Sequence, residues 1–176
     1  TGVYFIDYGE DGHRFSYLRA GSAATRLGPE RLPLDAIANA RMLHVSGITQ
    51  AISTASCDAV FAAIDHAREN GVPVAYDPNL RLKLWPLDRA RAIALATAAK
   101  VDFLLPSEDD AASLLGTRDR DALVDAFLER GARHVVLKLG ADGALVADAD
   151  GRDHVPAHSV EAVDATGAGD TFDGAF

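Results

Sequence analysis

After residue 40, short apolar runs alternate with stretches whose apolar positions recur at helical spacing, the pattern expected when parallel strands are joined by crossover helices. Four runs, at 42–45, 72–76, 103–105 and 135–139, are apolar enough to predict strands buried on both faces. Between them, 53–70 sets Ala59, Val60, Ala63, Ile64 and Ala67 on one helical face and stops at Gly71. Residues 88–99 and 119–130 read as helices in the same way, the second ending at Gly131. A turn at 140–143 leads into a strand at Ala144–Ala147 and β structure around 154–163. The first 20 residues differ. Val3 and Phe5, then Arg14, Ser16 and Leu18, alternate with other residues around a turn at 9–12, as in an exposed ribbon appended to the core.

Composition narrows the class of protein. The chain has 176 residues, 48% hydrophobic and 24% charged, enough for one globular domain with a sizeable core, and no repeat or linker divides it. Its formal charge of −9 repels polyanions, so no nucleic-acid partner is expected, although a local basic cluster can still hold a small anion. The lone Cys57 excludes an internal disulfide and reads as core filler in a reducing compartment. No apolar run approaches the roughly 20 residues of a membrane span and no signal peptide is visible, so a cytoplasmic location is expected, with no membrane partner. The six histidines form no metal spacing, and no G-x-S-x-G elbow points to a serine hydrolase.

The chemistry concentrates in residues 164–176, D-A-T-G-A-G-D-T-F-D-G-A-F. Gly167, Ala168 and Gly169 have little side chain to keep an anion away, so successive N–H groups at a helix start can converge on a phosphate. Asp170 sits beside that socket. A carboxylate there can take the proton of a hydroxyl attacking phosphorus, which implies phosphoryl transfer to an alcohol. A Gly-rich turn closed by an Asp near a helix start accounts for the same residues without any ligand. The helix itself runs barely two turns before Phe176, too short to hold alone. Neither G-x-x-x-x-G-K-[ST] nor G-x-G-x-x-G is present.

Ligands of open α/β sheets gather outside the carboxyl ends of the strands, and here those ends are polar: 46–49, 77–81, 106–110 and 138–140. Arg81 and Lys83 place two cations past one strand end of an acidic chain, where solvated surface charge is the competing account. With Tyr17 and Arg19 added, an acid sugar fits better than a neutral one, because guanidinium pairs bidentately with carboxylate and a tyrosine hydroxyl can fix a sugar.

The run D-A-T-G-A-G-D-T-F-D-G-A-F resembles the C-terminal signature of the PfkB, or ribokinase-like, sugar kinases. With T-G-V-Y, Y-L-R-A-G-S-A-A, H-V-S-G-I-T and D-P-N-L-R-L-K-L-W, the chain is similar to the 2-keto-3-deoxygluconate kinases of that family. The resemblance implies an α/β fold: a ribokinase-like parallel-sheet core with helices on both faces at 21–176 and part of a small β lid at 1–20. Family members of roughly 300 residues would extend beyond both ends of it. It implies Asp170 as catalytic base and the amides at Gly167, Ala168 and Gly169 as the phosphate socket. Tyr4, Tyr17, Arg19, Ile48 and Arg81 match substrate-contacting positions, with the arginines on the sugar-acid carboxylate. Lys138, Gly140 and Gly143 match the nucleotide-side turn, with a plain hairpin turn as the competing account. Ser107, with Glu108 and Asp110, stands where the family has N-x-x-E, associated with Mg²⁺ and phosphate; this chain departs from that motif, and an acidic helix start explains the carboxylates as well. Asp164 and Thr166 match positions that bind a monovalent cation such as K⁺ in some relatives. ATP, Mg²⁺ and a sugar acid are thus the implied partners. A homo-oligomer, another sugar such as ribose or fructose, and a catalytically silent binding module of the same fold stay open.

Overall fold

A computed structural model describes residues 2–9, 12–161 and 163–176. The chain opens with β1 (Val3–Gly9) and β2 (Gly12–Leu18), paired antiparallel with Tyr4 opposite Tyr17 and Ile6 opposite Phe15. That register sets Tyr4, Ile6, Phe15 and Tyr17 on one face and Val3, Phe5, Ser16 and Leu18 on the other. The ribbon forms a sheet of its own, as expected; residues 10 and 11 of the turn expected at 9–12 lie outside the described residues.

The core follows in order α1 (Leu34–Ala38), β3 (Leu43–Ser46), α2 (Gly47–Ile52), α3 (Thr54–Glu69), β4 (Val74–Asp77), α4 (Leu87–Ala98) and β5 (Phe103–Leu104). It continues with α5 (Glu108–Leu115), α6 (Arg120–Leu128), β6 (His134–Lys138), β7 (Ala144–Ala147), β8 (Arg152–Val155) and α7 (Ala168–Ala175). The six strands stand in the order β3-β4-β5-β6-β7-β8. The first four are parallel, and β7 and β8 join antiparallel, so the expected parallel core carries an antiparallel margin built from the hairpin after β6.

Local chemistry explains the helix limits. Ser53 Oγ accepts from Ser56 N at 3.0 Å and Asp119 Oδ1 from Ala122 N at 2.9 Å, each capping the helix that follows. Gly71 closes α3 at φ 71°, a conformation open to glycine. Two helices, α1 and α2, were not signalled by apolar periodicity, because they are only five and six residues long. The β structure expected over 154–163 shrinks to β8, since Pro156 has no N–H to continue the ladder.

Side-chain alternation along the strands separates two faces. On one, Val74 and Tyr76 of β4 and Val135 and Leu137 of β6 join Val60, Ala63, Ile64 and Ala67 of α3 and Leu123, Val124 and Phe127 of α6 in a large apolar core. On the other, a small cluster of Ala75, Leu105, Val136 and Ala144 is met by Phe103 and Val146. The Phe176 ring, just past α7, stands edge-on to Phe103 at 5.9 Å on this second face. Helices thus flank both faces, but unequally.

Candidate active site

At the carboxyl ends of β3 and β4 the chain turns sharply. A Cβ at Gly47 would collide with the Pro78 carbonyl, so only glycine lets the start of α2 lie against the loop after β4. Asp77 Oδ1 accepts from Asn79 N at 2.9 Å and Asn79 takes the left-handed φ of 40°, a conformation asparagine tolerates. These two close approaches open a cavity of about 720 Å³ between the ribbon, the β3 and β4 ends and the start of α7. Tyr4, Tyr17 and Arg19 enter from the ribbon side, Ile48 from α2, Arg81 and Lys83 from the loop after β4, and Gly167 and Asp170 from the α7 start. Residues more than a hundred positions apart in sequence therefore face one space.

The cavity wall is aromatic and cationic. Tyr4, Phe15 and Tyr17 rings lie 6.4 to 6.5 Å apart, with Phe15 and Tyr17 stacked. Arg19 Cζ stands 4.9 Å over the Tyr17 ring, and Arg81 Nη1 donates to the Leu80 carbonyl at 2.9 Å. Neither guanidinium has an ion-pair partner among the described residues. Lys83 Nζ donates to the Phe15 carbonyl at 3.2 Å, tying the ribbon to the core. Ser46 Oγ, on the same wall, is buried and has no hydrogen-bond partner among the described residues.

Gly167 adopts φ 74° immediately before α7, and its carbonyl accepts from Thr171 N at 2.8 Å and from Thr171 Oγ1 at 2.9 Å. No side chain caps this helix start, and of the amides expected to face an anion, Ala168 N already donates to the Ala165 carbonyl at 3.1 Å. Asp170 Oδ1 accepts from Asn79 Nδ2 at 3.3 Å. Asp164 Oδ1 accepts from Thr166 N at 2.8 Å, shaping the approach to the socket.

Other expected site residues lie off the cavity lining. Lys138 Nζ pairs with Asp77 at 3.0 Å and with Asp173 at 2.9 Å, so any contact with nucleotide phosphates competes with two carboxylates. Ser107 Oγ is used as the cap of α5, accepting from Asp110 N at 3.1 Å. Gly140 turns the chain at φ 60°, and a Cβ at Gly143 would collide with the Val155 carbonyl, which accounts for that glycine by hairpin packing. The proposed Mg²⁺ pair is not assembled. Glu108 makes a two-point ion pair with Arg120 at 2.8 and 3.1 Å, and Arg120 also reaches Asp142 at 2.9 Å. Asp110 instead accepts from Leu80 N at 3.1 Å, and its burial pushes its carboxyl up. An acidic helix start, already bonded, is what these residues form.

Three residues to which the sequence assigned no role also belong here: Asp77, Asn79 and Asp173. Carboxylate oxygens of Asp77, Asp170 and Asp173 lie within 4.8 Å of one another; Lys138 pairs with Asp77 and Asp173, and His44 Nε2 of β3 stands 3.9 Å from Asp173. Burial, and then the neighbouring Asp77, hold the Asp173 carboxyl well above the usual carboxylate range. The i, i+3 spacing of Asp170 and Asp173 was the available signal, since it sets both on one side of a helix.

Comparison with known proteins agrees with this geometry. The family model described as pfkB family carbohydrate kinase matches residues 1–176. The chain is 37% identical to a 2-dehydro-3-deoxygluconokinase of Thermoproteus tenax over its whole length, covering 54% of that protein. It is 35% identical to fructokinase-2 of Oryza sativa subsp. japonica, covering all of this chain and 53% of that one. A double-mutant fructokinase of Vibrio cholerae O395, solved with fructose, ADP and a potassium ion, superposes with a TM-score of 0.83 at 30% identity, covering 99% of this chain and 56% of that one. The chain thus spans about half the length of the relatives it matches. With a match along its full length, an α/β sheet of the same architecture and the Gly167–Asp170 run at the mouth of a cavity, the chain belongs to the pfkB family of carbohydrate kinases.

Proposed function

We propose that the protein transfers the γ-phosphoryl group of ATP to a hydroxyl of a sugar acid, with the C6 hydroxyl of 2-keto-3-deoxygluconate as acceptor. The observation that carries this reading is the single cavity shared by Asp170, Gly167, Arg19 and Arg81. Arg19 and Arg81, without ion-pair partners among the described residues, suit a substrate carboxylate, and Tyr4, Tyr17 and Ile48 surround the sugar. The substrate hydroxyl would lie against Asp170, which accepts its proton, while the amides at Gly167, Ala168 and Gly169 hold the charge of the transferring group. Mg²⁺ arrives as the counter-ion of ATP rather than on Glu108 or Asp110, whose carboxylates are bonded elsewhere. Gly140, Gly143 and Ser107 would border the nucleotide from the β6 side, and Asp164 a monovalent cation. The ribbon would cover the sugar and exclude water from transfer.

Incubating the complete protein with ATP, Mg²⁺ and a panel of 2-keto-3-deoxygluconate, fructose and ribose tests the reaction. Asp170→Asn should lower kcat about a thousandfold while sugar affinity holds; undiminished turnover would remove Asp170 as the base. The resemblance to plant fructokinases keeps a neutral sugar as the second reading. Arg19→Ala and Arg81→Ala separate the two, because each should raise KM for a sugar acid about ten- to a hundredfold and leave a neutral sugar little affected.

A further inference from the structure

Below Asp170 lies a buried ionic cluster drawn from three elements, with the half-exposed His44 of β3 at its margin, its Nε2 3.9 Å from Asp173. Lys138 Nζ, at the end of β6, donates to Asp77 Oδ2 at 3.0 Å and to the two Asp173 oxygens at 2.9 and 3.1 Å. The side chains of Lys138, Asp77 and Asp173 are only 12, 6 and 2% exposed. Asp77 uses its other oxygen on Asn79 N, and Asn79 Nδ2 reaches Asp170. Asp173 follows Asp170 by three residues on α7. One ammonium therefore pins both elements that meet at Asp170: the loop after β4, through Asp77, and α7, through Asp173.

Stability alone is a poor reason for this arrangement. Three buried ionic groups gain little over well-packed apolar side chains of the same volume, because desolvation offsets most of their attraction. What they add is direction. The ammonium donates only along its three N–H bonds, so it fixes loop and helix relative to each other more narrowly than apolar contact would. The second face of the sheet, where α7 docks, has little apolar packing with which to do this otherwise.

We propose that Lys138, Asp77 and Asp173 form a positioning cluster that, through Asn79 and α7, sets the orientation of Asp170 toward the acceptor hydroxyl. The proposal rests on the kinase reading for what Asp170 does, but the geometry it asserts can be measured separately. In the complete protein, Lys138→Met should lower kcat about a hundredfold, the effect of a displacement near 1 Å. KM for sugar and for ATP should change less than about threefold, as when only a transition-state interaction is lost. Asp173→Asn keeps an acceptor for Lys138 and a donor for Asp77, and should recover most of the turnover lost in Asp173→Ala. An unchanged kcat in Lys138→Met overturns the proposal, and so does a loss confined to KM for ATP, which would place the ammonium on the nucleotide.

Removing Lys138 leaves two carboxylates buried and can unfold the protein. Asn79→Gly avoids that: glycine keeps the positive φ and removes Nδ2, so it should cost about tenfold in kcat, the worth of one hydrogen bond to a charged group, with little change in melting temperature. Full turnover in Asn79→Gly also overturns the proposal. Crystal structures supply the arm that needs no activity. In Asp173→Ala the Asn79 Nδ2 to Asp170 Oδ1 contact should be broken, and its persistence would refute the positioning role. If the unmodified protein phosphorylates no sugar, the kinase reading fails by itself, and the crystal comparison still decides whether the cluster holds Asp170.

Discussion

The two faces of the six-stranded sheet are held by different forces. One face is a broad aliphatic and aromatic core against α3 and α6, in which Ile64, Val74, Leu123 and Val135 are fully excluded from water. The opposite face, under α7, has a small apolar cluster, a short chain of ring contacts through His134, Phe103, Phe176 and Phe172, and a buried lysine between two carboxylates. Apolar packing is strong but undirected, and it suits a scaffold. Charge and hydrogen bonds contribute less net stability but specify angles, and they lie beside Asp170.

Three measurements press on this contrast. The largest effect belongs to the scaffold face, where Phe127→Ala should cost about 4 kcal/mol in urea unfolding of the complete protein, the usual loss for a buried aromatic. A loss below about 1 kcal/mol would mean that this face is not the stabilising one.

Next in size is the pH dependence of the α7 face. The folded Asp173 carboxyl is raised from the ordinary 3.8 to about 7, chiefly by burial. A raised acid holds its proton more tightly in the folded state, so between about 4 and 7 stability falls as pH rises, and the penalty is complete above about 7. Urea midpoints across this range should show the decline in the unmodified protein and a flatter profile in Asp173→Asn. Equal slopes in the two proteins would show that Asp173 titrates normally.

The smallest effect is expected at the Phe103–Phe176 contact. Phe176→Leu removes the edge-on pair with Phe103 and the stacking on Phe172, and should cost about 1 kcal/mol. The same denaturation series measures it, and a cost matching Phe127→Ala would erase the difference between the faces.

Much of the scaffold was readable along the chain. The helical period at Ala59, Val60, Ala63, Ile64 and Ala67, stopped by Gly71, marks α3 within a residue or so of its ends. Apolar runs mark β3 to β6, since strands covered on both faces tolerate few polar residues. The candidate substrate residues Tyr4, Tyr17, Arg19, Ile48 and Arg81 were nameable from local motifs and do share a cavity. Glu108 and Asp110 misled because a run of carboxylates reads the same whether it awaits a cation or caps a helix and meets Arg120. The Lys138 cluster was hidden for a different reason. Its members sit 61 and 35 residues apart, and nothing local to Asp77, Lys138 or Asp173 announces a partner.

By itself the sequence determined the alternation of strands and helices, the exposed ribbon at the start and the small-residue turn at Gly167–Asp170, because these follow from periodicity and from conformations that glycine and small residues permit. Only the tertiary structure decided which strand ends are neighbours, that Arg120 claims Glu108, and that Lys138 reaches across to both Asp77 and Asp173. Those pairings depend on strand order and on the seating of α7, which are fixed by the packing of distant segments and leave no trace in any short stretch of residues.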